Sequence, residues 1–145
     1  MAGEALDDVL AVNASFYGAF ERGDFDTMEA VWAEDDAVVC VHPGARPLRG
    51  RRDVMRSWVA LMAQAEYIQF VLTDVEAAVV EDVATVTCTE NVLSAPPGMP
   101  RDAFAGGSAA ATNVFRRTSD GWRLWVHHAS PVLSVRHQPE EGDLT

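Results

Sequence analysis

The first half of the chain alternates apolar and polar residues with the period of an α-helix. Over residues 6–22, apolar side chains recur at spacings of three and four, with acidic and amide side chains between them. This spacing predicts an amphipathic helix that buries one face. Gly23 suits the left-handed position that ends a helix, and Asp24 or Asp26 can cap a second, shorter helix. A third amphipathic helix is predicted over residues 53–64.

The second half of the chain has the pattern of long strands. β-Branched and aromatic residues predict one short strand and four long ones, over residues 37–41, 67–80, 83–95, 110–118 and 122–133. Gly121 supplies the positive φ of a tight turn between the last two. Because both faces of this hairpin carry apolar side chains, we expect it to lie centrally, with a core on one face and a helix or second subunit on the other. Residues 96–107, rich in Pro and Gly, predict a long connection or flap.

Side chains on a strand alternate between the two faces of a sheet, which divides the strand residues into two sets. Over residues 83–93 the threonines share the outer face, so that Glu90 points inward with Cys88. In the last strand the same rule places on one face Leu124, Val126, His128 and Ser130, and on the other Arg123, Trp125, His127 and Ala129. We therefore predict that Glu90 and His128 face the interior, whereas Trp125 and His127 face outward.

The composition limits the domain count and the class of partner. A chain of 145 residues with 48% hydrophobic residues has the size of one domain, which we place at residues 1–135 with a flexible acidic tail at 136–145. The net charge of -11 disfavours binding to nucleic acid or to an anionic membrane. All basic residues are arginine, so no lysine is present to form a Schiff base. The expected partner is a small molecule or a protein.

Two further features bear on the compartment. No apolar run approaches the ~20 residues of a membrane span, and the N-terminal residues lack a signal-peptide pattern, which predicts a cytoplasmic protein. Cys40 and Cys88 lack the Cys-x-x-Cys spacing, so we expect two small buried thiols in a reducing compartment. A disulfide between them is left open at this point.

Several short motifs spread over the chain resemble a known superfamily. They are Phe16-Tyr17, Glu21-Arg22-Gly23-Asp24-Phe25, Trp32-Ala33-Glu34-Asp35-Asp36-Ala37, Leu48-Arg49-Gly50-Arg51, Gly121-Trp122-Arg123-Leu124 and His127-His128-Ala129-Ser130. Together they resemble the nuclear transport factor two-like (NTF2-like, SnoaL-like) superfamily, which includes ketosteroid isomerases, scytalone dehydratase and polyketide cyclases. The resemblance implies an α+β fold in which a curved, mostly antiparallel sheet wraps around the N-terminal helices and forms a conical pocket (cystatin-like, NTF2-like α+β barrel). It implies a fold more than a function, since the superfamily uses one pocket for unrelated reactions.

The ketosteroid isomerase site can be compared with this chain at three positions. The general-base Asp of that family precedes a Pro at the end of the short strand, and the corresponding residue here is His42, before Pro43. Its oxyanion-donating Asp corresponds to Asn113, whose amide can still donate a hydrogen bond. Its oxyanion Tyr corresponds to Phe16, which has no hydroxyl, and the neighbouring Tyr17 is expected to point elsewhere. The resemblance therefore implies an activity other than ketosteroid isomerisation.

Inward alternation and the resemblance together predict a mostly apolar pocket with a few polar groups. The candidate catalytic residues are His42, Glu90, Asn113 and His128, and the candidate ligand-binding walls are Phe16, Val38, Trp58, Val86, Leu124 and Val126. His42 is the candidate general base or acid. Glu90 or His128 would take or return the proton, and Asn113 would stabilise an enolate oxygen. This chemistry, proton removal next to a carbonyl, requires no cofactor.

Each of these polar residues also has a structural interpretation. His42 could bond the loop backbone, Glu90 could pair with an arginine, and Asn113 and His128 could satisfy buried polar atoms. A metal site formed by His42, Glu90 and His128 is a further alternative, although we predict no metal. The adjacent pair His127-His128 faces opposite ways and cannot easily share one metal ion.

The leading hypothesis is a homodimer that pairs through the outer sheet face at Trp125 and His127 and holds a small hydrophobic molecule in its pocket. We expect it to act as a cofactor-independent acid–base enzyme, an isomerase or a lyase, on an apolar carbonyl compound. The reaction would be an isomerisation, a dehydration or a cyclisation. The alternative is a non-catalytic ligand-binding or dimeric accessory protein of the same fold.

Overall fold

The structure is a computed structural model that describes residues 2–65, 67–95 and 105–133. Within these residues the helices are α1 (Ala2–Arg22), α2 (Phe25–Val31) and α3 (Arg51–Gln64). The strands are β1 (Val39–Val41), β2 (Leu48–Arg49), β3 (Tyr67–Val80), β4 (Val83–Ala95), β5 (Ala105–Thr118) and β6 (Gly121–Pro131). The order of elements is the predicted one except for β2, because residues 48–49 were predicted to lie in a loop.

The element bounds agree with the sequence prediction except at some ends. β3 and β4 have the predicted bounds, whereas α3 begins at Arg51 rather than at residue 53. Residues 105–107, predicted to lie in the connection, belong to β5. The rest of the predicted flap, residues 96–104, and the predicted tail at 136–145 lie outside the described residues.

The strands form one six-stranded sheet in the order β2-β1-β6-β5-β4-β3. Neighbouring strands are antiparallel except β1 and β6, which are parallel. The β5–β6 hairpin therefore lies in the middle of the sheet, as its two apolar faces predict. Helices gathered on a curved, mostly antiparallel sheet confirm the α+β architecture.

A bulge in β6 changes which of its residues face the interior. Phe115 pairs with Leu124 and Val114 pairs with Val126, so Trp125 is an extra residue with no partner across the ladder. An extra residue of this kind shifts the alternation of every side chain after it. Leu124 is buried as predicted, but beyond the bulge the buried residues are His127 and Ala129 rather than their neighbours.

Five predicted orientations in β6 are reversed by this bulge, including that of Ala129, which was predicted to face outward and is buried. His128 was predicted to face inward and is exposed on the outer face, together with Ser130. Val126 was predicted to line the pocket and also lies on the outer face, by its place between the bulge and His127. His127 was predicted to face outward and is buried inside. Those predictions were wrong because strict alternation was applied across a bulge that the sequence does not announce.

The hydrophobic core lies between α1 and the inner face of the sheet. α1 packs against β3, β4 and β6, and it contributes Val9 and Phe16, both essentially inaccessible to solvent. The facing strands contribute Val86, Phe115 and Leu124, which are equally buried. In β4 the predicted alternation is confirmed, with Ala84, Val86, Cys88 and Glu90 buried in turn. Burial of these apolar side chains holds the helices in place over the site described below.

Arg51, the first residue of α3, ties this helix to the end of α2. Its guanidinium donates to the carbonyl oxygens of Trp32 at 3.1 Å, Ala33 at 2.9 Å and Glu29 at 2.9 Å. The last carbonyl groups of a helix have no intrahelical donor, so this side chain satisfies acceptors that would otherwise be unpaired. The two helices are thereby fixed relative to each other.

Both cysteines are buried in the core and neither forms a disulfide. In the part of the chain that the structure describes, no helix has the length and apolar character needed to cross a membrane.

Candidate functional site

An apolar cavity of about 310 Å³ lies between α1, α3 and the inner face of the sheet. It is lined by Phe16, Tyr17, Phe20, His42, Pro43, Trp58, Leu61, Ile68, Phe70, Glu90, Val92 and His127. Most of these side chains are aromatic or aliphatic, and four of them carry titratable groups. A mostly apolar concavity with a few convergent polar groups is typical of a small-molecule site.

The structure brings together some of the predicted site residues and separates others. Phe16, Trp58, His42 and Glu90 line the cavity as predicted. Asn113 is fully buried beside it and contacts two of the residues that line it. Of the predicted walls, three lie in the hydrophobic core rather than at the cavity surface: Val38, Val86 and Leu124. The remaining wall, Val126, and the candidate catalytic His128 lie on the outer sheet face.

His42 follows β1 and is oriented by a hydrogen bond to α3. Ser57 donates its only hydroxyl hydrogen to the carbonyl oxygen of Val54 at 2.7 Å, so at 2.9 Å it accepts from His42 Nε2. The hydrogen of the neutral imidazole is thus on Nε2, which leaves Nδ1 as an acceptor 3.9 Å from the sulfur of Cys40. The ring packs edge-on against Trp58 with centroids 4.8 Å apart. Burial lowers the pKa of His42 below its usual value, so the neutral form predominates at neutral pH.

Glu90 and Tyr17 form a close pair in the cavity wall. The Tyr17 hydroxyl donates to Glu90 Oε2 at 2.6 Å. Burial raises the pKa of Glu90 above its usual range, and the Tyr17 hydrogen bond offsets part of that effect. Burial and the neighbouring Glu90 carboxylate also raise the pKa of Tyr17, which therefore keeps its proton. The Glu90 carboxyl group is therefore protonated at a higher pH than that of an exposed glutamate.

Asn113 joins this pair to α1 and to His127. Its Nδ2 donates to Asn13 Oδ1 at 2.9 Å and to the Tyr17 hydroxyl oxygen at 3.2 Å. Its Oδ1 accepts a hydrogen bond from His127 Nδ1 at 2.6 Å. Both amide hydrogens are therefore engaged within the protein. Asn113 acts here on other side chains, whereas the sequence prediction has it donating to a ligand oxygen.

His127 is the most deeply buried titratable group of the cavity. Its ring lies 4.9 Å from the Phe16 ring and 6.0 Å from the Trp58 ring, centroid to centroid. Burial, with smaller contributions from the charges of His42 and His128, lowers the pKa of His127 to about 3. The imidazole is therefore neutral at physiological pH.

Sequence reasoning missed three residues of this network: Asn13, Tyr17 and His127. For the first two a signal was present, because Asn13, Tyr17 and Phe20 follow one another at spacings of four and three on the inward face of α1. Tyr17 was expected to point elsewhere because the aligned position was Phe16. That expectation was wrong, since both side chains lie on the cavity. For His127 the sequence offers no signal, because its orientation depends on the bulge.

The structure does not bring together the three residues of the alternative metal site, His42, Glu90 and His128. His128 lies on the opposite face of the sheet from Glu90, so those two residues cannot share an ion with His42. Within residues 2–65, 67–95 and 105–133, no group of three or more His, Cys, Asp or Glu side chains has the geometry to hold a metal ion.

The chain matches a known protein family over most of its length. The family model of the SnoaL-like domain matches residues 9–134, which is nearly the whole chain. The chain belongs to the SnoaL-like family. This family lies within the NTF2-like superfamily that the sequence motifs resemble, so the recognition made from those motifs is confirmed.

Solved structures of the superfamily include similar proteins. One is a protein of the NTF2-like family from Streptomyces avermitilis, proposed to be a dehydratase. It is 47% identical with a TM-score of 0.83, covering 92% of this SnoaL-like chain and 99% of the other. Another, from Thiobacillus denitrificans, is a proposed calcium/calmodulin-dependent protein kinase type II association domain. It is 36% identical with a TM-score of 0.73, covering 85% of this chain and 94% of the other.

A curated relative is the F-box protein SKIP8 of Arabidopsis thaliana, which is 25% identical over 130 residues. The match covers 90% of this SnoaL-like chain and 52% of the relative, so the chain spans about half the length of that protein. The names of these relatives suggest unrelated roles, which agrees with the use of one fold for different functions.

Proposed function

We propose that this protein is a cofactor-independent acid–base enzyme that removes a proton next to the carbonyl group of a small apolar compound, with dehydration as the leading reaction. The observation that carries the proposal is the pairing, in one apolar cavity, of a neutral histidine with a carboxyl group whose pKa is raised. Two titratable groups whose environments favour an uncharged base and an uncharged acid are the elements that such catalysis requires.

His42 is the proposed general base. Its Nε2 hydrogen is donated to Ser57, so Nδ1 carries the lone pair that takes the proton. The fixed ring orientation removes the entropic cost of bringing the base to the carbon acid. The lowered pKa keeps His42 unprotonated when the substrate enters an apolar, poorly hydrated cavity.

Glu90 is the proposed electrophile that stabilises the enolate oxygen. In its protonated form it accepts the Tyr17 hydrogen bond at Oε2 and can donate its own hydrogen from Oε1 to the substrate carbonyl. A carboxylic acid kept neutral by an apolar site can serve as a hydrogen-bond donor to a developing oxyanion. Glu90 thus takes the donor role that was predicted for Asn113, whose amide hydrogens are both engaged within the protein.

The proposed dehydration is balanced with these two side chains alone. The carbon–hydrogen bond next to the carbonyl breaks, and its proton goes to His42 Nδ1. The carbonyl becomes an enolate whose oxygen accepts a hydrogen bond from Glu90. The enolate then re-forms the carbonyl, a carbon–carbon double bond forms, and the bond to the β-hydroxyl breaks. The protonated His42 gives its proton to the departing hydroxide, which leaves as water. The relative from Streptomyces avermitilis, proposed to be a dehydratase, supports this choice among the possible reactions.

Exchange of carbon-bound hydrogen for deuterium tests the proposal without knowledge of the natural substrate. The wild type, His42→Ala and the outer-face control His128→Ala would be incubated in heavy water with a panel of cyclic ketones and β-hydroxy ketones. Proton NMR would follow the signal next to the carbonyl. We expect the wild type and His128→Ala to catalyse exchange, and His42→Ala to be slower by about 10² to 10⁴-fold.

Calorimetric binding of the same panel separates catalysis from ligand binding. If compounds bind but exchange no faster than in buffer, the enzyme proposal is wrong and the binding-protein alternative is favoured. If exchange occurs and is unaffected in His42→Ala, the base has been assigned to the wrong residue.

A further inference from the structure

The hydrogen-bond chain around Asn113 has only one consistent direction when followed from Glu90. Tyr17 has a single hydroxyl hydrogen, and it donates this hydrogen to Glu90 Oε2 at 2.6 Å. The Tyr17 oxygen therefore accepts from Asn113 Nδ2, at 3.2 Å. With its amide nitrogen directed at Tyr17 and at Asn13, Asn113 presents its oxygen to His127. The nitrogen that donates to this oxygen, His127 Nδ1, must carry a hydrogen.

This direction determines what His127 presents to the cavity. A neutral imidazole carries one hydrogen, so with Nδ1 protonated the other ring nitrogen, Nε2, has a lone pair and no hydrogen. His127 lines the cavity, and among the described residues Nε2 has no hydrogen-bond donor. The bulge at Trp125 is what turns this ring, rather than His128, toward the cavity.

The geometry points to His127 as a specificity-determining residue whose Nε2 accepts a hydrogen bond from a hydroxyl group of the ligand. Asn113 is its positioning residue, because it holds the ring in the tautomer that exposes an acceptor. The ligand class is then an apolar compound with a hydroxyl group. Combined with the proposed function, on which this last step rests, the substrate is an apolar β-hydroxy carbonyl compound whose hydroxyl group is held by His127 until it leaves as water.

Burial explains why His127 would bind the hydroxyl group rather than deprotonate it. With a pKa lowered to about 3, its imidazole accepts a hydrogen bond at neutral pH without retaining the proton. His42, which is less buried, remains the stronger base of the two. The two histidines of the cavity thus have different roles set by their surroundings.

The first test is the tautomer of His127 in the ligand-free protein. Long-range proton–nitrogen NMR correlation distinguishes the two neutral tautomers of histidine, and the signal is assigned by its loss in His127→Asn. We expect Nδ1 to be protonated and Nε2 to be bare. A spectrum with the hydrogen on Nε2 would overturn the inference, because the ring would then present a donor to the ligand.

The second test uses two ligands that differ only in hydrogen-bonding capacity. α-Tetralol and α-tetralone share a bicyclic body, but only the alcohol can donate a hydrogen bond. From the usual worth of one hydrogen bond we expect calorimetry to find the alcohol bound about twofold to tenfold more tightly by the wild type. His127→Asn, whose amide can still donate to Asn113, should abolish this preference. The adjacent outer-face variant His128→Asn should retain it.

The outcomes separate this inference from the proposed function. A preference for the alcohol that survives in His127→Asn would show that another group selects the hydroxyl, and would overturn the inference. A preference lost in His127→Asn, in a protein that catalyses no deuterium exchange on any ligand it binds, would support the hydroxyl site and refute the enzyme. If neither compound binds, the tautomer of His127 decides: a bare Nε2 supports the inference, and a hydrogen on Nε2 overturns it.

Discussion

The buried His127 should make the protein sensitive to acid, and the size of the effect follows from its pKa. The ordinary histidine value of 6.5 applies to the unfolded chain, whereas burial lowers the pKa of His127 in the folded protein to about 3. Below pH 6.5, His127 therefore binds a proton in the unfolded state but not in the folded state. Stability from this group is fully present above pH 6.5 and falls as the pH falls toward the folded-state value.

Each pKa unit corresponds to about 1.4 kcal/mol, so a group that refuses its proton from pH 6.5 to about 3 would cost about 5 kcal/mol over that range. This is comparable with the total stability of a typical domain, about 5 to 15 kcal/mol. The protein should consequently unfold in acid before His127 is protonated in the folded state. Down to pH about 5 the expected loss from this residue is about 2 kcal/mol.

Urea unfolding followed by tryptophan fluorescence, at several pH values between about 5 and 7.5, would measure this loss. His127→Asn should have a flatter dependence of unfolding free energy on pH than the wild type, by up to about 1.4 kcal/mol per pH unit. His128→Asn, on the outer face, should follow the wild type. The raised pKa of Glu90 acts with the opposite sign, but it is common to all three proteins and cancels in the differences. Parallel curves for wild type and His127→Asn would refute the reasoning.

Two further predictions concern the acid of the site and the junction of the helices. For deuterium exchange, the wild-type rate should fall at low pH as His42 is protonated, below the usual histidine range, and at high pH as Glu90 ionises, above the usual carboxyl range. Glu90→Gln should remove the high-pH fall, because an amide donates without ionising; a fall that persists would assign it to another group. In urea or thermal unfolding, Arg51→Lys should lower the free energy of unfolding by about 1 to 3 kcal/mol, because an ammonium group cannot reach all three carbonyl oxygens. The control Arg52→Lys, at the exposed neighbouring residue, should leave the free energy of unfolding nearly unchanged. Equal losses in the two variants would contradict this prediction.

Much of the fold could be predicted from the sequence because local pattern and tertiary structure agree. The period of apolar residues in α1 and α3 and the long runs of β-branched residues each indicate one type of element. Glu90 was correctly predicted to face inward because β4 is regular, and in a regular strand alternation is a geometric necessity. The placement of His42 in the cavity was implied by the resemblance to ketosteroid isomerases, whose general base also precedes a Pro at the end of the short strand.

The residues of the site that were mispredicted depend on information that a single strand or helix does not contain. The bulge at Trp125 arises from the pairing of β6 with β5, so its effect on His127 and His128 becomes visible only when both strands are in place. Tyr17 was judged by its alignment with a tyrosine one position away in the related family. On α1 both Phe16 and Tyr17 reach the cavity, since the apolar stripe of a helix is wide enough for adjacent residues.

The three titratable groups that would act on a ligand share one physical constraint, which is the apolar cavity itself. Burial disfavours any charged form, so it lowers the pKa of His42 and of His127 and raises the pKa of Glu90. The same desolvation thus shifts the base and the acid toward their uncharged forms. In the proposed reaction this pair would act on an apolar carbonyl compound, provided that the ligand rather than water fills the cavity.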